Sequence, residues 1–212
     1  MRTRVHALRA LVPLLIAGSS LLATTSPARA DNEYGVGDPY TYLAVSGLVA
    51  FDDRSDLWLW NWGDANANGG VTARAGLRLG APLSIELQGD WVNLAAWRNQ
   101  DRWTATVNFR IYPSQLDYTE MMGEDIGAGL DKVWGLFPKR MQPYLVAGAG
   151  VIGGQPKNDS YQLNGAFRLG VGTDFYLTEK LAVSFGYEWL TGTGYWAGAD
   201  TRNLTLGVQY NF

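Results

Sequence analysis

The chain contains no cysteine and a single histidine, His6. His6 falls in a basic, apolar opening segment that reads as a secretory leader. Arg2, Arg4 and Arg9 precede an apolar stretch, Leu11 to Thr24, and Ala28-Arg29-Ala30 has the small-x-small pattern of a signal peptidase site. Residues 1–30 are therefore expected to be cleaved, leaving Asp31 as the first residue of a domain spanning 31–212. A domain with neither cysteine nor histidine has no disulfides, no thiolate or imidazole metal ligands, and no Ser-His or Cys-His nucleophile pair. No cofactor is expected.

Basic charge is also scarce. Four of the 17 basic residues lie in the leader, which leaves 13 against 20 acidic residues, a net charge of −7. An acidic chain without a basic stripe is a poor partner for nucleic acid. Long apolar runs are missing as well: none approaches the ~20 residues a membrane-spanning helix needs. If the chain enters a bilayer, it does so as a closed barrel, because only closure satisfies every strand hydrogen bond in lipid.

Glycine and aromatic residues are abundant, with 26 Gly, nine Trp and eleven Tyr against eight Pro. After the leader the sequence divides into eight alternating segments, at about 40–51, 71–80, 83–92, 103–112, 142–152, 161–177, 181–189 and 203–212. Each has about the ten residues of a tilted membrane strand. Strand side chains alternate between two faces. In the last segment Leu204, Leu206, Val208, Tyr210 and Phe212 share one face, opposite Asn203, Thr205, Gly207, Gln209 and Asn211. The fourth and seventh segments behave alike: Trp103, Ala105, Val107, Phe109 and Ile111 alternate with polar residues, as do Leu181, Val183, Phe185, Tyr187 and Trp189.

Across all eight segments the apolar face carries no charge. The opposite face carries Arg74, Arg78, Arg110 and Arg168 with Glu86, Asp90, Asp174 and Glu188. Alternation alone does not say which face is outside, since a soluble sandwich alternates too. The leader and the aromatic placement favour an outward apolar face. Tyr40, Tyr112, Tyr144, Phe175, Tyr210 and Phe212 fall at one set of segment ends, and Phe51, Trp91, Trp103, Tyr161 and Trp189 at the other. This is the pattern of two interfacial girdles.

The chain here resembles the small eight-stranded outer-membrane barrels, the OmpA-, OmpX- and OmpW-like group. The resemblance rests on Gln142-Pro-Tyr-Leu-Val-Ala-Gly-Ala-Gly-Val151 and on the ending Leu204-Thr-Leu-Gly-Val-Gln-Tyr-Asn-Phe212. It implies an all-β, antiparallel up-and-down transmembrane barrel in the outer membrane, surrounded by its lipids, with both termini periplasmic. Tyr210 and Phe212 then correspond to the signal read by the barrel-assembly machinery. It further implies outward loops at about 52–70, 93–102, 153–160 and 190–202, and tight turns at 81–83 and 177–180. The peptidoglycan-binding domain of the two-domain relatives has no counterpart.

An eight-stranded barrel is just wide enough for its own side chains, so the four arginines and four acids are expected to pair inside it and plug it. A three-residue turn at 81–83 sets Arg78 against Glu86 and Arg74 against Asp90. A turn at 177–179 sets Arg168 against Glu188, and a register two residues longer would part them. Inward glycines at 76, 148, 150, 170, 172, 186 and 207 make room for the arginines.

Four features remain. Residues 113–140 are long for a periplasmic connection, and Ile126, Leu130, Val133, Trp134 and Phe137 recur at helical spacing. Either an amphipathic helix at the inner leaflet or a disordered insertion fits. Asp52-Asp53-Arg54-Ser55-Asp56 reads as a solvated loop rather than a cation site. Trp58, Trp60 and Trp62 suit girdle or loop packing better than an adhesive patch. Gly148-Ala-Gly-Val-Ile-Gly153 matches a dinucleotide fingerprint only by letter, because Pro156-Lys-Asn-Asp follows where a helix is needed.

Small barrels of this size include enzymes, the lipid A deacylases and palmitoyl transferases. The deacylases use a His-Ser pair, which the domain lacks, and no Ser-carboxylate constellation is identifiable in its place. The leading expectation is a monomeric, non-enzymatic outer-membrane barrel serving envelope structure or surface interaction. A narrow conduit for small hydrophobic molecules is the first alternative, and it calls for an apolar upper lumen. A soluble periplasmic, lipocalin-like lipid carrier is the second, and it calls for an apolar interior.

Overall fold

The computed structural model describes residues 39–52, 67–80, 82–94, 100–116, 118–138, 140–154, 161–197 and 200–212. The leader, the Asp53–Asp56 run, the three alternating tryptophans and the segment after Gly154 lie outside the described residues. Eight antiparallel strands close into one barrel: β1 Tyr40–Asp52, β2 Ala67–Gly80, β3 Leu83–Leu94, β4 Gln100–Ile111, β5 Met141–Gly154, β6 Gln162–Tyr176, β7 Leu181–Gly192 and β8 Thr201–Asn211. Each pairs with its sequence neighbour, and β8 returns to β1, so no edge is left unpaired.

The two faces are inverted relative to a soluble barrel. Val45, Val71, Leu87, Phe109, Leu145, Phe167, Phe185 and Leu206 are exposed outside, whereas Arg78, Glu86, Asn108, Arg110, Arg168 and Glu188 are fully buried inside. A lipocalin-like carrier requires the opposite arrangement.

The strands run further toward the mouth opposite the chain end than alternation suggests. β2 begins at Ala67 and β7 continues to Gly192. The extra turns of β2 and β7 are rich in Gly, Asn and Thr, whose weak apolar contrast hides strand character.

Three of the girdle aromatics are corrected. Tyr40, Tyr112 and Tyr144 point into the barrel and are buried, together with Tyr42 and Tyr176. They share strand parity with the inward arginines, and parity outranks nearness to a rim. Phe175, Tyr210 and Phe212 do lie outside at that rim, with Trp91, Trp189 and Tyr161 at the other.

The long fourth connection is helical. A 3-10 turn, Pro113–Gln115, leads to α1 (Tyr118–Met122) and α2 (Glu124–Trp134). Gly123 joins the helices at φ +82°, a left-handed conformation that favours glycine. Ile126, Leu130, Val133 and Trp134 lie on α2, and Phe137 lies beyond its end.

Candidate functional site: the barrel interior

The turn between β2 and β3 decides who faces whom. Ala81-Pro82 is a two-residue connection, and a register irregularity between Arg78 and Gly80 precedes it. Arg78 consequently faces Ser84, Arg74 faces Gln88, and Glu86 faces Gly76. The expected Arg78–Glu86 and Arg74–Asp90 pairs do not form. One residue fewer in the turn, with the irregularity, slides every partner along by two positions.

The β6–β7 register corrects a second expectation. Arg168 faces Leu190, the longer register, yet its guanidinium still reaches Glu188. A diagonal neighbour is within range of a long side chain, so facing positions were too strict a criterion.

Arg168 and Arg110 each pair with two acids. Arg168 bridges Asp90 and Glu188. Its Nε donates to Thr106 Oγ1 at 3.2 Å. Arg110 lies 3.0 Å from Glu86 and 3.6 Å from Asp174, with its guanidinium 4.0 Å above the Tyr144 ring. Each of Glu86, Asp90, Asp174 and Glu188 therefore meets Arg110 or Arg168. Neutral donors complete the carboxylates: Tyr42 and Asn108 donate to Glu86 at 2.9 and 3.1 Å, Thr104 to Asp90 at 2.7 Å, and Ser184 to Asp174 at 2.7 Å.

Arg78 sits lower in the barrel. It stacks 3.8 Å over Tyr112 and donates to Gln142 at 2.8 Å and to Tyr40 at 3.2 Å. Tyr40 and Tyr176 share a hydroxyl hydrogen bond of 2.8 Å, and Tyr112 donates to Asp174 at 3.1 Å. These rings form an aromatic floor at the end of the barrel where β8 finishes.

Arg74 is buried, and among the described residues neither a hydrogen bond nor an ion pair reaches its guanidinium nitrogens.

A fifth interior arginine, Arg102, brings the formal charge of the buried set to five cations against four anions, one more than neutrality. Its Nη2 donates to Thr201 at 2.9 Å. The fourth alternating segment starts at Trp103 in the sequence, one position after this residue.

The inward glycines serve neighbours other than the arginines. A Cβ on Gly76 would lie 2.2 Å from the Tyr42 ring, one on Gly172 2.3 Å from the Tyr144 ring, and one on Gly148 1.9 Å from Asn108 Oδ1. Large side chains lie flat across the strand beside them, and glycine is what lets them.

The upper lumen is apolar in places. Leu48, Ala50 and Val92 form one buried cluster; Ile152, Ala166, Leu190 and Trp196 form another. Trp196 comes from a short 3-10 turn, Gly194–Trp196, and folds fully into the mouth. Gly154 and Gly192 admit it: a Cβ on either would come within 3 Å of its side chain. The segment 190–202 offered no alternation to reveal this. Only an unexplained tryptophan amid glycines hinted at it.

A family model described as the outer membrane protein beta-barrel domain matches residues 14–212. The chain belongs to this family. Its place is accordingly the outer membrane, with the apolar belt against lipid. The Neisserial surface protein NspA has a similar solved structure, at TM-score 0.56 and 13% identity, covering 82% of this chain and 97% of that one. The N-terminal barrel of Pseudomonas aeruginosa OprF gives 0.48 at 12% identity, covering 82% and 100%. P. aeruginosa OprG gives 0.47 at 13% identity, covering 84% and 97%. No curated protein matches the sequence.

Proposed function

We propose that this outer-membrane barrel is a non-enzymatic structural element of the envelope whose lumen is closed and whose outward loops carry any surface interaction. One observation carries the reading: Gln88 on β3 donates to Glu188 on β7 at 3.1 Å. These strands are four apart in a ring of eight, so the bond spans the full diameter. The Arg168–Asp90 pair joins β6 to β3 beside it, and Arg78–Gln142 joins β2 to β5 below. Small barrels of this size are filled by their own side chains.

With no cysteine and the only histidine at position 6, the barrel also lacks the usual bases and nucleophile partners of acyl transfer. Both termini are assigned to the periplasm, with β8 delivering Tyr210 and Phe212 to the assembly machinery and the barrel working as a monomer. Conductance across a planar bilayer tests the closed lumen. Brief, small events are expected from the pure protein, and a stable, large open channel would overturn the reading.

The apolar upper lumen favours a second reading, entry of a small hydrophobic molecule at the outer mouth. Trp196 occupies that space, so such a molecule has to displace it.

A further inference from the structure

The helical connection between β4 and β5 leaves an apolar face that none of the described residues covers. Ile126, Val133 and Leu136 are 62%, 51% and 82% exposed, and Met121, Met122 and Phe137 are exposed beside them. The opposite flank of α2 packs inward, with Gly127 buried and Leu130 and Trp134 half-buried. A contiguous apolar face of this kind on a soluble surface is unusual and marks a contact.

The tethers at each end say which contact. The N–H of Tyr112 donates to Pro82 O at 2.8 Å, fixing the start of the segment on the β2–β3 turn. At the other end the N–H of Tyr176 donates to Arg140 O at 2.8 Å, fixing it beside the end of β6. The segment thus leaves the barrel at the end of β4 and re-enters at the start of the adjacent β5, so both its ends are held at the rim where Ile111 and Leu145 are exposed on the lipid-facing wall. An apolar face tethered there is continuous along the chain with the membrane belt.

We propose that α1 and α2 lie on the phospholipid leaflet bounding this rim, with Met121, Met122, Ile126, Val133, Leu136 and Phe137 inserted at the headgroup boundary. Amphipathic helices lie in that plane when an apolar face meets lipid. Charge selects the type of lipid. Residues 113–140 hold five acidic and three basic side chains, a net −2, so attraction to anionic headgroups is not the driving force and zwitterionic lipid suffices. The segment serves as a collar that fixes the height of the barrel in the bilayer.

The absence of native cysteine makes the test clean. Single variants Ile126→Cys, Val133→Cys and, on the exposed polar side of α2, Lys132→Cys are spin-labelled in the full domain and reconstituted into phosphatidylcholine vesicles. Heat-modifiable migration first verifies that each barrel has folded and inserted, so a failed barrel is distinguished from a failed collar. Labels at 126 and 133 are expected to relax several-fold more with dissolved oxygen than with an aqueous nickel chelate, and the label at 132 the reverse. Equal nickel access at all three positions would overturn the proposal, because the face would then be in water. Shielding at 126 and 133 that disappears on dilution with excess lipid would overturn it too, since a second copy would be the cover.

Discussion

Tyr42 lies across Gly76 and donates its hydroxyl hydrogen to Glu86, three residues in one row over three strands. The ring is held at both ends. A methyl group on Gly76 would meet Tyr42 Cζ at 2.2 Å, and the ring cannot retreat without giving up Glu86. Gly76→Ala is expected to cost about 1–3 kcal/mol, the range for forcing an extra methyl into a packed interior. Urea unfolding of the folded barrel in lipid measures it. Combining the change with Tyr42→Ala should recover part of the loss, because the clash then has no partner.

Arg168 and Arg74 look equivalent in the sequence: both are inward arginines at one strand's middle. The structure separates them. Arg168→Met strands Asp90 and Glu188 without their shared cation, and removing one partner of a buried pair typically costs about 3–5 kcal/mol. Among the described residues Arg74 has no such partner. Arg74→Met is expected to leave stability within about 0.5 kcal/mol or to raise it, since an uncompensated buried charge is itself unfavourable. Parallel unfolding curves decide; equal large losses would show that Arg74 carries a pairing role.

These contrasts mark what a sequence does and does not write down. Alternation placed Arg78, Glu86, Arg110, Asp174 and Glu188 on one face, and each is buried inside. Partner choice depends on the connection at Ala81-Pro82, where a turn one residue shorter and the irregularity beside it together move every facing position by two. No periodicity encodes that count. For Tyr40, Tyr112 and Tyr144 two signals conflict: nearness to a rim points outward, strand parity points inward beside Arg78 and Arg110, and parity prevails. Trp196 was out of reach: a loop residue that turns back into the barrel leaves no periodic trace.

Trp196 supports a third expectation. Its ring fills the mouth between Gly154 and Gly192, among Ile152, Ala166 and Leu190. Trp196→Ala removes a large buried side chain, a change that costs about 3–5 kcal/mol in a well-packed core. It should also open an apolar space at the outer mouth. A small apolar fluorophore added to the reconstituted barrel is expected to bind the variant and not the parent. Tight binding to the parent would instead show that Trp196 yields readily, and would favour the hydrophobic-conduit reading over a closed mouth.

Phe212 supports the last. Its backbone N–H donates to Thr41 O at 2.9 Å, the final bond of the β8–β1 seam, while its exposed ring packs edge-on against Tyr210 at 5.1 Å. Backbone and side chain thus have separable tasks. Phe212→Ala keeps the seam bond and removes only the ring, so the variant should refold from urea into detergent as the parent does, within about 0.5 kcal/mol. If the ring is what the assembly machinery reads, the same variant should accumulate less in the outer membrane of cells. The pair of measurements matters more than either alone. Loss in both settings would make the ring a stabilising contact, and loss in neither would remove Phe212 from any role in assembly.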